Sequence, residues 1–213
     1  MNFIDIRQDI LKCRLCIDNI DCKHKLIFNN TDTNKVKIII ISEQPKLNKT
    51  DLCSDEMLHE VIKNSSITGK NKISTRDEIY KMFPGLEDSI REENGKYYWT
   101  HYTKCASIIS KPQKRCALTW IKKEIECFKE AKCIIVFGAK AYSIINNIFR
   151  IGLKYDEYIW EIIKNTVLAK DYSQFRHNGI LIFVLPHPSK RNGFSIILPK
   201  LIPYVIGGIN ESI

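Results

Sequence analysis

Four apolar runs rich in β-branched and aromatic residues constrain this chain more than any other feature. They are "VKIIIISEQP" at 36–45, "KYYWTHYTKC" at 96–105, "KCIIVFG" at 132–138 and "GILIFVLPHPS" at 179–189. The first, third and fourth lack the polar alternation of a half-exposed strand, so each reads as a strand buried on both faces, as in a parallel sheet. Pro45 stops the first, Gly138 ends the third, and Pro186 with Pro188 stops the fourth. Helical patterns fall around and between them. Residues 3–12 form a short amphipathic segment, and 54–64 begin at a possible Ser54 cap. Ser74 can cap a helix over "TRDEIYKMF", which "PG" at 84–85 closes. Residues 116–131 carry Leu118, Ile121, Ile125 and Phe128 at helical spacing. Helices are also predicted over 139–149 and 155–165, and the proline-bearing "FSIILPKLIPYVIGG" predicts a broken one.

Strands alternating with helices predict the α/β class: a three-layer α/β/α sandwich around a central, mainly parallel four-stranded sheet. A chain of 213 residues, 44% of them hydrophobic, can bury one full core, so residues 1–213 read as a single domain. Ligands of such sheets bind at the carboxyl ends of the strands. Function is therefore to be sought at "SEQP", "THYTKC", "FGAKA" and "LPHPS".

No apolar run approaches the ~20 residues of a membrane span, and "MNFIDIRQDILK" lacks the apolar core of a secretory signal. The expected location is intracellular, in cytoplasm or nucleoid, with no membrane partner. Eight cysteines are many for a reducing compartment, where a disulfide framework is not expected. Cys127 and Cys133 lie in apolar segments and read as core. "CRLCIDNIDCKHK" is different: Cys13, Cys16 and Cys22 fall close together with His24 just beyond, in a polar context that suits metal ligation. That spacing alone leaves a metal clip, a redox pair and coincidence open. The net charge of +9 suits a nucleic-acid partner, with a merely basic, lysine-rich surface as the alternative.

Taken in order, the four strand ends, the upstream CxxC and Cys116 ahead of the third strand resemble the uracil-DNA glycosylase superfamily, specifically its iron–sulfur branch, family 4. The resemblance covers roughly residues 10–195. It implies a DNA glycosylase that flips uracil, or a related deaminated base, from single- or double-stranded DNA and hydrolyses the N-glycosidic bond in base excision repair. It also implies a [4Fe–4S] cluster held by two cysteines of an N-terminal CxxC, a third after the second strand and a fourth opening the next helix. These positions match Cys13, Cys16, Cys105 and Cys116, with Cys127 and Cys22 as alternatives to Cys116. Four thiolates suit zinc as well as iron–sulfur, and the resemblance favours the cluster. A monomer is expected.

The resemblance assigns further residues. His187 of "PHPS" matches the histidine that faces the uracil carbonyl where charge develops. Ser189 follows it. Against the family's "GEAPG", this chain reads Ser42-Glu43-Gln44-Pro45-Lys46: Glu43 and Pro45 match, both glycines are replaced, and Gln44 stands where a water-orienting residue would fall. Glutamine can orient a water but cannot act as a general base. The asparagine of the family's "TN" motif matches His101, which puts base preference in question. No counterpart of the stacking phenylalanine occurs between residues 46 and 75, which leaves Phe83, Tyr98 and Tyr102 as candidates. Lys104, Lys111, Lys114, Arg115, Lys190 and Arg191 are candidate phosphate contacts, each with a solvated charge run as its bland alternative. The altered motifs support a second reading, a catalytically weak or inactive iron–sulfur DNA- or protein-binding module. A zinc-clipped α/β domain of unrelated function is a third.

Overall fold

A computed structural model of the chain describes residues 2–15, 24–25, 32–43, 75–91, 95–106, 114–168, 171–188 and 196–213. In chain order the elements are α1 (Phe3–Lys12), β1 (His24–Lys25), β2 (Ile38–Ser42), α2 (Thr75–Met82), α3 (Leu86–Arg91), β3 (Tyr97–His101), β4 (Cys105–Ala106) and α4 (Lys114–Cys127). Then come β5 (Cys133–Phe137), α5 (Ala139–Phe149), α6 (Tyr155–Leu168), β6 (Arg176–His177), β7 (Ile180–Leu185) and α7 (Leu198–Asn210). The helix expected over 54–64 and the Ser74 cap lie outside the described residues.

Among the described residues the central sheet has five strands in the order β3-β2-β5-β7-β6, not the four expected. The four predicted strands are all present and mutually parallel. The fifth, β6, is a two-residue antiparallel edge on β7. It returns through Asn178 and Gly179, both at positive φ (53° and 79°), the requirement of a tight hairpin turn that Asn-Gly meets. The "NG" at 178–179 is the sequence signal for it. A separate ladder pairs β1 with β4, His24 opposite Ala106 and Lys25 opposite Cys105.

Every residue of β2, β3 and β5 is buried, as non-alternating apolar strands require. The two faces of the sheet are covered by different helices. Tyr98 packs on Phe3 of α1 and on Phe128 just beyond α4, with ring centroids 5.4 and 4.4 Å away. On the opposite face Trp99 meets Tyr80 of α2, Phe137 meets Phe83, and Phe183 meets Tyr204 of α7. That is the predicted three-layer arrangement, and one buried cluster runs through both layers of contact.

Two helices depart from expectation. α4 begins at Lys114 and buries Cys116, Ala117, Trp120, Ile121, Glu124 and Ile125, whereas Leu118, assigned to the core face, is 50% exposed. α7 is continuous and not broken. Pro199 sits in its first turn, where a missing N–H loses nothing. Pro203 points to solvent, and burial of Leu201, Ile202, Tyr204 and Val205 around it holds the helix together.

Candidate active site

The four parallel strands end side by side. Ser42 lies opposite His101, and Phe137 opposite Leu185. Hydrogen bonds continue past the strand ends: Tyr102 N–H donates to the Ser42 carbonyl (2.7 Å), Thr103 N–H to the Glu43 carbonyl (3.1 Å), and Gly138 N–H to the Leu185 carbonyl (3.0 Å). The chain passes from β2 to β3 on one side and then to β5 on the other, so the topological switch point falls between β2 and β5. Glu43 and Gly138 stand at that point.

Gly138 has φ 88° and ψ 160°, an essentially glycine-only conformation that costs a side chain on the order of 1–3 kcal/mol. It lets β5 turn directly into α5. A Cβ at Gly138 would lie 3.7 Å from the Cβ of half-buried His187, so His187 leans against this turn. Glu43 is one strand away on the other side. Two strand spacings, about 10 Å in all, separate the exits of β2 and β7, with the Gly138 turn of β5 between them. Lys140, in the first turn of α5, donates to Glu43 Oε1 at 2.6 Å across a partly exposed contact. Tyr102, buried, feels the charges of both. Burial raises its phenol, Lys140 opposes that, and Cys116 and Glu43 add to it. Its neighbours thus link the strand-exit carboxylate to the cysteine region.

On β3, His101 and Trp99 share one face, their rings 5.8 Å apart and only 20° from parallel. Trp99 Nε1 donates to Ser42 Oγ at 2.9 Å, which commits the serine hydroxyl to holding the indole. Burial, and then the Lys104 charge, push the His101 imidazole down to about 3. Nδ1 of His101 has no hydrogen-bond partner among the described residues.

Lys104 requires a correction. Expected on a DNA-facing surface, it is only 1% exposed and is paired with Glu124 of α4, itself 1% exposed. Its ammonium also donates to Thr100 Oγ1 (2.6 Å) and to the His101 carbonyl (2.9 Å), so all three protons are placed. Tyr98 OH donates to the same carboxylate at 2.6 Å. A lysine so enclosed is not available to a phosphate. Lys114 and Arg115 are exposed and open α4. Phe83 and Tyr98 are buried in core ring contacts, which removes them as stacking surfaces for a ligand. Tyr102 is buried as well, at the site's edge. Gln44, Pro45, Lys111, Ser189, Lys190 and Arg191 lie outside the described residues.

Of the four matched cysteines, Cys13, Cys105 and Cys116 are described and Cys16 is not. Lys104 N–H donates to Cys116 Sγ at 3.3 Å, which puts the residue after it, Cys105, beside Cys116. Phe3 packs on Phe128, 5.2 Å between centroids. The start of α1 therefore meets the end of α4, and nothing among the described residues groups Cys13 with Cys105 and Cys116. Cys127 closes the opposite end of α4, about 16 Å along the axis at 1.5 Å per residue. That geometry disfavours it as a fellow ligand. Among the described residues no three histidine, cysteine or acidic side chains are grouped as a formed metal site. The donor chemistry fits a thiolate-held group: soft ligands, largely buried, one already accepting a backbone amide.

The sequence reading did not single out Glu124 or Lys140. Lys140 lies inside the "FGAKA" strand end and was within reach of it, whereas Glu124 sits mid-helix with no local signal. No helix among the described residues is long and apolar enough to cross a membrane. No curated protein matches the chain. The family model of the Uracil DNA glycosylase superfamily matches residues 28–196, most of the chain and all four strand ends.

Proposed function

This chain belongs to the uracil-DNA glycosylase superfamily, and on that premise we propose that it excises uracil, or a related deaminated base, from DNA by hydrolysing the N-glycosidic bond. The observation that carries the reading is the strand-exit arrangement: Glu43 after β2 and His187 after β7, on either side of the Gly138 turn at the topological switch point. Superfamily membership suggests glycosylase chemistry on DNA, and the charge of +9 suits that partner.

In this reading the target nucleotide leaves the base stack and enters the carboxyl edge of the sheet. His187, on a backbone stiffened by Pro186 and Pro188, donates toward the base oxygen where negative charge accumulates as the bond breaks. Gln44 orients the attacking water, with Glu43 beside it and Lys140 holding the carboxylate in place. The leaving base takes the bonding electrons, and water supplies hydroxyl to the sugar carbon and a proton to the base. Ser42 serves through Trp99. Pro45, His101 and Ser189 line the base pocket. Lys111, Lys114, Arg115, Lys190 and Arg191 meet phosphates.

We further propose membership of the iron–sulfur branch, with Cys13, Cys16, Cys105 and Cys116 holding a [4Fe–4S] cluster. When bound, the cluster supplies a structural tie between the N-terminal arm and the exit of β3. The β1–β4 ladder already joins these two segments. Anaerobic purification tests this: about four irons per chain and broad visible absorption are expected, each lost in C105S or C116S. Zinc without iron overturns it.

The activity test is incubation of uracil-containing oligonucleotides, single- and double-stranded, followed by alkaline cleavage of abasic sites. Strand scission is expected and should vanish in H187A. A second reading, a DNA-binding module without catalysis, is favoured by the Lys140 ion pair, which occupies the Glu43 carboxylate. DNA binding with no scission on any deaminated base selects it.

A further inference from the structure

Leu118 leaves half its surface in water, and it does so beside a hollow. Between α4 and α5, Leu118, Ile144 and Ile148 wall a cavity of about 280 Å³, and Lys122, Asn147 and Arg150 complete its lining. That volume falls just below the ~300–1,000 Å³ of small-molecule pockets, so it suits an inserted side chain better than a cofactor. Ile144 is buried, which makes the floor part of the core, while Lys122 and Arg150 are exposed. Lys122 has Glu126 at 3.8 Å, with both side chains more than half in water. Such a pair is weak and yields to a better partner. Arg150 caps α5 in the left-handed region, φ 54° and ψ 46°, where glycine is usual because a side chain is strained there. The turn is nevertheless fixed. Arg150 N–H donates to the Asn146 carbonyl, and the Asn146 side chain accepts from Gly152 N–H (2.9 Å) and donates to the Leu153 carbonyl (2.9 Å). The Arg150 side chain therefore starts from a set point on the rim.

Apolar walls and a cationic rim together specify the ligand. Phosphates would meet the cations and leave Leu118, Ile144 and Ile148 uncovered. An apolar group alone would leave the cations unused. The groove also stands away from the strand exits. Ala139 opens α5 at the exit of β5, and Arg150 closes it about 16 Å further along the axis, at 1.5 Å per residue. DNA at the carboxyl edge of the sheet has no need to cover it. We propose that this groove docks a partner protein, through a segment that sets one large apolar side chain on Leu118, Ile144 and Ile148 and carboxylates on Lys122 and Arg150. The charge of +9 draws an acidic segment from a distance, and the apolar anchor supplies the specific contact. The surface lies outside the glycosylase reading and stands whether or not the chain excises a base.

The test is selection of a phage-displayed library of random peptides on the full chain. The enriched peptides are then synthesised with a fluorescein label and titrated by anisotropy. Peptides with aspartate or glutamate around a leucine, phenylalanine or tryptophan should be enriched. L118S and R150G should each weaken their binding by about tenfold or more, as for interface residues that carry binding energy. Glycine adopts the conformation at position 150 freely, so R150G removes the cation without loosening the turn. Should L118S fold poorly, R150G and K122S still decide. No enriched peptide, peptides lacking either the apolar residue or the acid, or binding unchanged in the variants overturns the proposal. Two other occupants would overturn it as well. Affinity for undamaged duplex DNA that falls as far in R150G would make the groove a nucleic-acid contact. A wild-type dimer in sedimentation that L118S dissociates would make it an interface between copies of this chain.

Discussion

The two faces of β3 treat their polar groups in opposite ways. On the face toward α4, Lys104, Glu124, Tyr98 and Thr100 form a closed set: three protons of an ammonium, two oxygens of a carboxylate and two hydroxyls, each with a partner. On the other face His101 is also buried, yet its Nδ1 has no hydrogen-bond partner among the described residues. A buried charge survives only when its hydrogen-bonding capacity is filled. A buried neutral imidazole with an unfilled nitrogen is a smaller penalty that a protein can carry where a ligand will offset it. The contrast separates a group whose bonds close the strand exit from one whose bonding capacity there is unfilled among the described residues, although the two lie three residues apart on the chain.

The sharpest way to break this contrast is to remove one charge from the closed set. K104M leaves the Glu124 carboxylate buried and unpaired, and the urea midpoint should report a loss of about 3–5 kcal/mol. K104M/E124L, which replaces both charges with apolar side chains, should recover most of it. A small effect for K104M alone would mean that Lys104 is not the staple of the strand exit. H187A should act the other way round. The excision rate should fall roughly 10²–10³-fold, while the urea midpoint moves by no more than about 0.5 kcal/mol. Loss of both together would make His187 a packing residue.

The unfilled imidazole predicts a pH signature. Its folded pKa, about 3, lies below the unfolded value of 6.5, so between those pH values the unfolded chain binds a proton that the folded chain refuses. Stability should therefore fall as pH drops from 6.5 toward 3, by about 1.4 kcal/mol per pH unit from this group. It should be flat in this term above 6.5. Urea titrations of wild type and H101N across that window isolate the slope, and parallel curves would remove the buried-neutral description of His101. The smallest effect belongs to the Glu43–Lys140 pair. Both side chains are partly exposed, so K140A should change stability by less than about 1 kcal/mol. An excision rate that rises in K140A would show that the ion pair restrains Glu43.

Periodicity carried much of the fold. α1 and α5 fall on the expected residues, 3–12 and 139–149, and the four parallel strands lie within the expected runs. Strand periodicity and helix spacing are local properties that a short window contains. What depends on distant pairing was not legible. The β1–β4 ladder joins segments some eighty residues apart, and α7 remains whole through Pro203 because buried neighbours hold it. The exposed Leu118 fails for a related reason. Its spacing fits an apolar stripe, but the face that α1 and the sheet cover lies a fraction of a turn away.

For the site, the sequence by itself determined where to look. Non-alternating apolar runs must lie inside a parallel sheet, and the polar residues that close them must stand together at its carboxyl edge, which is how Glu43, His101, Gly138 and His187 could be named as neighbours. It also supplied the cysteines, and their order along the chain. Only the tertiary structure decided which polar groups are spent on the protein and which are kept. A lysine before a cysteine reads as surface charge until a carboxylate twenty residues later is packed against it, and Glu124 reaches Lys104 only because α4 lies across β3. Burial of charge is settled by its partner, and partners are brought by packing, which no local pattern encodes.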